Sequence, residues 1–416
     1  MAGTNNQIQI RLVTQQQQYA VSSYPLSVDV SIGAIELNTI VNKLLRESKN
    51  IQNEVNFDFS ISSQFLHTSL REHIAETEIL TKKIIDVEYL QKYVPPESED
   101  CLIHEDWVST VAAYDKWILT GCYDNTLHIW TSRGKHCLVI HGHALPIKAV
   151  AWISVNDDNI SFVSVSQDQT AITWNWDMKN SAEPSHVYKG HENSVEAVSI
   201  NYDKTLMATG SWDKTLKIWL TPTQDEQRNE EPMPKRAKVE YNKTRVPICT
   251  IKGHKDAISG VKWSDKTEIV TSSWDHTVKI WDSELGNVKR EFIGEKSYFD
   301  IDYSPLAHAV ITASADKHVR LYDPRSSENL VLKATYTSHT QWVQCVRWST
   351  VNEFLFISGA YDNIVKLWDT RNPKASLFDV TEHKDKVLCC DWLNSRLIVS
   401  GDADNTLRIS MFNDEY

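Results

Sequence analysis

Ser211-Trp212-Asp213-Lys214-Thr215-Leu216-Lys217-Ile218-Trp219 returns, lightly changed, as Ser273-Trp274-Asp275-His276-Thr277-Val278-Lys279-Ile280-Trp281. In both stretches a polar turn holding an Asp leads into alternating residues that end on a Trp six places later. Period-two alternation marks a strand, because successive side chains point to opposite faces. The phrase recurs outward in both directions, from Tyr123-Asp124 to Trp130 and from Tyr361-Asp362 to Trp368, with looser copies at Asp168 to Trp174, Asp316 to Tyr322 and Asp404 to Ser410. Seven Asp at intervals of 44, 45, 62, 41, 46 and 42 residues fit the blades of a β-propeller, which spends about 40 to 45 residues on each. In these strands the apolar residues are expected to fill the gap between blades, while Lys217, Lys279 and Lys366 point outward.

Each Asp has a His upstream: His104 with Asp124, His143 with Asp168, His191 with Asp213, His254 with Asp275, His339 with Asp362 and His383 with Asp404. A half-buried imidazole and a carboxylate each need a partner, and a satisfied network locks two loops against a strand. Recurrence in nearly every unit makes these His, Asp and Trp residues architecture rather than a catalytic triad. The sets are His104, Asp124 and Trp130; His143, Asp168 and Trp174; His191, Asp213 and Trp219; His254, Asp275 and Trp281; and His339, Asp362 and Trp368. The fifth unit has no His where one is expected and ends in Tyr322, and the seventh has Ser410 in the Trp place, so their networks should be incomplete. This pattern resembles the WD-repeat family, which implies a buried His, Asp and Trp network in each blade. After residues 407–412 only four residues remain, too few for a fourth strand. The segment at Cys101-Leu102-Ile103 is expected to supply it and fasten the ring, because an open sheet edge invites unwanted pairing.

Ahead of the repeats, Gln7 to Val13 alternates as a strand, and a second strand is expected near Tyr19 to Val21. Leu37, Ile40, Val41, Leu44 and Leu45 fall on one face of a helix. Strand-like pieces follow at 55–61, 65–66 and 84–89. This is the order of a ubiquitin-like β-grasp. The expected organisation is a ubiquitin-like α+β domain at 1–92, a linker and closing strand at 93–106, and a seven-bladed, mainly β propeller at 107–416. The long interval holds an insertion, 221–246, whose dense charge and low hydrophobicity predict a disordered loop between blades.

The formal net charge of -12 argues against grip on nucleic acid by bulk electrostatics, although local phosphate contacts stay open. Seven Cys are scattered with no Cys-x-x-Cys and no His/Cys cluster at zinc spacing, so reduced, buried thiols and no intrinsic metal or cofactor are expected. The Gln-rich start lacks the apolar core of a secretory signal, and an intracellular, reducing location is expected. With no phosphate-binding Gly loop and no isolated nucleophile beside a base, an enzyme is not expected. Tyr123, Trp212, Trp274 and Tyr361, each directly before a turn Asp, are candidate partner anchors on the loops of one face, since large rings dominate interface energetics.

A ubiquitin-like module before seven such repeats, together with Phe57-Asp58-Phe59, Val87-Glu88-Tyr89 and Glu105-Asp106-Trp107-Val108-Ser109, resembles the ribosome-biogenesis WD-repeat family of the Pescadillo-containing PeBoW complex, with its Notchless-type N-terminal domain. The resemblance implies a nucleolar and nucleoplasmic, non-enzymatic scaffold for large-subunit assembly and maturation of its rRNA. It also implies a propeller that holds block-of-proliferation and Pescadillo partners, and an N-terminal domain that docks on the midasin ATPase. Family members present an acidic side chain to a midasin-held metal; an ungapped alignment puts Lys82 there, and Glu78 is the candidate substitute, a carboxylate suiting a hard cation. Lys235, Arg236 and Lys238 in the insertion resemble a nuclear-import signal. The alternative reading is a substrate receptor of a cullin ubiquitin ligase, because Trp368-Asp369-Thr370-Arg371 and Tyr322-Asp323-Pro324-Arg325 resemble the motif by which some propellers hold the ligase adaptor.

Overall fold

The computed structural model describes residues 7–14, 16–49, 51, 53–62, 64–77, 84–156, 159–179, 181–222, 244–326, 332–373, 375–393 and 396–412. The chain divides into two compact units that meet between Pro95 and Pro96. Among the described residues no helix is long and apolar enough to cross a membrane.

In the N-terminal unit, β1 (Gln7–Val13) puts Ile8, Ile10 and Leu12 inward and polar residues outward. Strand β2 is Leu26–Asp29, followed by α1 (Ala34–Lys49), β3 (Phe57–Ile61), β4 (Gln64–Phe65), α2 (Leu70–Thr77) and β5 (Ile85–Gln91). The sheet order β2-β1-β5-β3-β4, with β1 and β5 parallel, is that of a β-grasp. The apolar stripe of α1 buries Leu37, Val41 and Leu45 against Phe59, Val87 and Tyr89, with Ile40 and Leu44 packed at its margin. Asn42 fixes the helix in place: its side-chain amide donates to Val55 O (2.7 Å) and accepts from Val55 N (2.9 Å). Two expectations need correction. The second strand is at Leu26–Asp29, while Gln17–Tyr19 forms a single 3₁₀ turn. The helix α2 went unread, because its eight residues give too short a period to stand out.

Among the described residues the second unit is seven antiparallel sheets, each of four strands, with two extra residues on one. The pattern is regular: in the third blade Val195–Ile200, Leu206–Ser211, Thr215–Leu220 and Cys249–Lys252 run in order from the inner to the outer strand. At every turn Asp the next residue is left-handed, from Asn125 to Asn405, with φ between 67° and 73°. Blades approach closely where the second strand carries Gly: a Cβ on Gly210 would lie 2.5 Å from Ile258 of the next blade, and one on Gly401 would lie 2.6 Å from Val108. That second pair is the seam between the last blade and the first. There Thr406–Met411 pairs with Glu97–Ile103, so the outermost strand of the last blade comes from ahead of the first.

Two features differ from the sequence reading. The insertion joins the third and fourth strands of one blade rather than two blades, since Thr215–Leu220 and Cys249–Lys252 are neighbours in one sheet. An Asp-to-Asp interval spans the outer half of one sheet and the inner half of the next, so its length does not say which junction is long. Residues 223–243 lie outside the described residues, but Thr244–Arg245 pairs with the strand Glu183–Lys189 and is ordered. The strand lysines also do not point into solvent. Lys217, Lys279 and Lys366 are buried, their ammonium groups reaching Thr250 Oγ1 (3.0 Å), Glu291 (3.0 Å) and Asp379 (2.6 Å) on the outer strand. A long stem can line apolar surface while its charge finds a partner at the edge.

Candidate partner-docking face

The face that carries the Asp turns is held by the repeat network. In the third blade His191 Nδ1 donates to Asp213 Oδ2 (2.7 Å), and Thr209 Oγ1 lies 2.8 Å from both His191 Nε2 and the indole N–H of Trp219. Because the carboxylate only accepts, the His proton sits on Nδ1, Nε2 accepts from the hydroxyl, and the hydroxyl accepts from the indole. The same chain runs His143, Asp168, Ser164 and Trp174; His254, Asp275, Thr271 and Trp281; and His339, Asp362, Ser358 and Trp368, with His to Asp distances of 2.8, 2.9 and 2.9 Å. Burial pushes the Asp168 carboxyl up, but hydrogen bonds from His143, Thr170 and the Ala144 amide outweigh it and hold the group down at about 2.

Three blades depart from this chain. In the first, His104 Nε2 meets Thr120 Oγ1 (3.0 Å) and Trp130 reaches the same hydroxyl (3.4 Å), but His104 and Asp124 are not bonded. Asp124 instead accepts from Thr126, and His104 Nδ1 is buried beside the Leu102 backbone with no side-chain partner. In the seventh, His383 donates to Asp402 (2.6 Å) rather than to Asp404, because the carboxylate has moved two positions to the end of the second strand. The fifth blade replaces the chain with a tyrosine pair: Tyr298 Oη lies 2.8 Å from Tyr322 Oη, and Asp316 pairs with Arg320. Gly294 makes room for this, since a Cβ there would fall 2.1 Å from Tyr298 Oη.

Above these networks lie the four expected anchors, all half-buried. Each packs on a neighbour: Tyr123 on Trp107 with ring centres 5.3 Å apart, Trp212 on Trp274 at 5.3 Å and Tyr361 on Trp342 at 5.8 Å. The indole N–H groups of Trp212 and Trp274 are covered yet meet no acceptor among the described residues. Sequence reasoning missed the most exposed rings of this face, Trp107 (44% exposed) and Trp342 (48%). Both stand just before an innermost strand, and their carbonyls accept from Tyr123 N and Tyr361 N. The signal that could have found them is an indole in the loop position where other blades hold Ser194, Ala257 or Lys386.

Tyr123, Trp274 and Tyr361 rim a channel of about 390 Å³ whose polar groups are spent on one another. Lys148 stands 3.8 Å from Glu196 and over the Tyr123 ring at 4.9 Å, Lys262 is 2.8 Å from Asp302, and Arg347 pairs with Asp300. Burial pushes Asp300 and Asp391 up although Arg347 opposes it, and burial also pushes up the thiols of Cys389 and Cys390. Protonated thiols without a base make poor nucleophiles. Metal-ligating side chains meet in the first blade, where His104, Cys122 and His128 converge. Asp369 and Arg371 of the adaptor-like motif are buried and paired with each other, and the guanidinium lies 4.5 Å from the Phe354 ring centre. In the second such motif Arg325 is exposed beside Asp323. Glu78, Lys82, Lys235, Arg236 and Lys238 lie outside the described residues.

Comparison with known proteins matches both units in order. A family model described as the NLE (NUC135) domain matches residues 8–74, and one described as WD domain, G-beta repeat, matches residues 100–131, 182–219, 245–282, 330–369 and 374–409. Most of the second blade and most of the fifth fall outside these matches, although the second holds the complete network and the fifth the tyrosine pair. The chain is 50% identical over 408 residues to the ribosome biogenesis protein WDR12 homolog of Aedes aegypti, covering 98% of this chain and 96% of that one. It is 49% identical over 410 residues to the protein of that name from Anopheles gambiae (98% and 96%), and 48% identical over 404 residues to that from Drosophila erecta (97% and 95%). Half-identity along nearly the whole length, through both domains and their junction, establishes that the chain belongs to the WDR12 family of ribosome biogenesis WD-repeat proteins.

Proposed function

We propose that this protein is a non-enzymatic scaffold in ribosome biogenesis, acting in assembly of the large subunit and maturation of its rRNA, with each domain docking on a different partner. The names of its full-length relatives support the process. The scaffold reading rests on one observation: the turn face presents Trp107 and Trp342 to solvent around a channel whose charges are already paired. Aromatic anchors beside unsatisfied indole N–H groups suit a protein partner, and the repeat networks keep that face rigid. In this reading the propeller takes block-of-proliferation and Pescadillo proteins, and the N-terminal domain takes midasin through an acidic side chain, Glu78 being the candidate. Lys235, Arg236 and Lys238 direct import, and the protein works in the nucleolus and nucleoplasm.

Depletion followed by sucrose-gradient profiling tests the process: large subunits should fall selectively, and a normal profile contradicts it. Co-purification separates the alternative. Pre-ribosomal proteins are expected, whereas a cullin adaptor retained by the wild type and lost on Arg325→Ala would favour the ligase receptor. Glu78→Ala should lose midasin and keep the propeller partners. A reporter carrying residues 221–246 should enter the nucleus.

A further inference from the structure

The first blade breaks the repeat in two places that lie side by side. Where the third and fourth blades have Ser211 and Ser273 it has Cys122, and where they have Lys217 and Lys279 it has His128. The strands Trp117–Cys122 and Thr126–Thr131 bring both beside His104, and the ligating atoms of the three residues lie within 4.8 Å of one another. All three are buried. His104 Nδ1, which in other blades would donate to the turn Asp, makes no bond to a carboxylate here and has only the Leu102 backbone beside it.

We propose that His104, Cys122 and His128 bind one Zn²⁺ inside the first blade. Two imidazoles and a thiolate are the donors of a borderline-soft cation, and tetrahedral zinc with bonds of about 2.0–2.3 Å needs its ligands roughly 3.5 Å apart. The three groups therefore close inward by about an ångström. Thr120 is already placed as the outer hydrogen-bond partner: with Nδ1 on the metal, His104 Nε2–H donates to Thr120 Oγ1, now 3.0 Å away, which fixes the ring and its tautomer. His128 uses one of the two nitrogens that now face Thr126 Oγ1 (2.9 Å) and His136 Nε2 (3.2 Å), and exchanges that hydrogen bond for the metal. The thiol proton of Cys122 leaves to solvent as the bond forms, and Asp124, two residues on and not bonded to His104, offsets the remaining positive charge. The ion would take over the role that the His to Asp bond plays in the other blades, beside the closing strand.

The test uses the full chain, stripped with chelator and titrated with Zn²⁺ by calorimetry and with Co²⁺ by absorption. The expected result is one equivalent of zinc, a thiolate-to-cobalt charge-transfer band, and a melting temperature that rises with zinc. Cys122→Ser and His128→Lys restore the residues of the third and fourth blades, and each should weaken zinc binding at least a hundredfold; Cys122→Ser should also erase the band. Circular dichroism confirms folding, and His128→Gln serves should the lysine not be accommodated. Failure of the wild type to give the cobalt band overturns the proposal, as does undiminished zinc binding in the folded Cys122→Ser variant, which would assign the ion to other histidines.

Discussion

Leu102 lies directly across from Leu407, although 304 residues of chain run between them, because the last blade takes its outer strand from ahead of the first. Both are buried in the cluster that also holds Val108, Trp130, Val399 and Ile409. The ring is thus closed by backbone pairing as well as by packing. Leu102→Asp should cost about 3 kcal/mol or more, since a charge would replace a buried apolar group at the seam. Urea denaturation and limited proteolysis at the last blade would show it; unchanged resistance would mean the strand is not needed for closure.

Turn Asp residues should not be equal. Asp213 accepts from His191, the Glu192 amide and both donors of Thr215, whereas Asp124 is bonded to Thr126 alone. Asp213→Ala is expected to cost about 2–4 kcal/mol and Asp124→Ala about 1 kcal/mol, because only the first strands a buried imidazole. Equal losses in chemical denaturation would contradict the absence of a His104 to Asp124 bond.

Acid should weaken the ring through the second blade. Asp168 is held at about 2 against an ordinary 3.8, so its folded-state value is depressed. A depressed carboxyl stabilises fully above its unfolded value and loses that contribution as pH falls through the folded one. About 2 kcal/mol should therefore fade between about pH 4 and pH 2. Melting curves of wild type and Asp168→Asn from pH 7 to pH 3 check this: the variant starts less stable, and the gap should narrow as acid is added.

The turn face makes a prediction of the opposite kind. Trp107→Ala and Trp342→Ala remove half-exposed rings that contribute little to the core, so melting should shift by only a few degrees, while partner capture should fall by tenfold or more, as for an interface anchor. Trp219→Phe, which removes the indole that donates to Thr209, should do the reverse: lower stability by about 1–2 kcal/mol and leave capture intact. Quantitative pull-down from nuclear extract, with melting measured on the same samples, separates the two classes.

Much of this fold was legible because it repeats. A Trp six places after an Asp, seen seven times with substitutions, gave the blades, and the segment at Cys101-Leu102-Ile103, just ahead of the first repeat, is the closing strand that was expected there. The second strand of the N-terminal domain was misplaced because Tyr19-Ala20-Val21 is as apolar as a strand yet turns after Gln17–Tyr19. The lysines were assigned to solvent because polarity in an alternating strand usually means exposure, and a side chain long enough to reach an acidic group across the sheet escapes that rule. The candidate site was half legible: Tyr123, Trp212, Trp274 and Tyr361 were marked by their place before the Asp, but Trp107 and Trp342 belong to a loop with no recurring phrase.

By itself the sequence determined the seven sheets, their order and the seam, since local alternation and turn chemistry specify each hairpin and recurrence specifies their number. Only tertiary structure decided which carboxylate meets which imidazole. His383 takes Asp402 over Asp404, His104 takes neither Asp124 nor any other acid, and Tyr298 fills a histidine's place. These choices depend on which groups the closed ring brings within hydrogen-bonding distance from loops apart in the chain, and a spacing pattern does not record that.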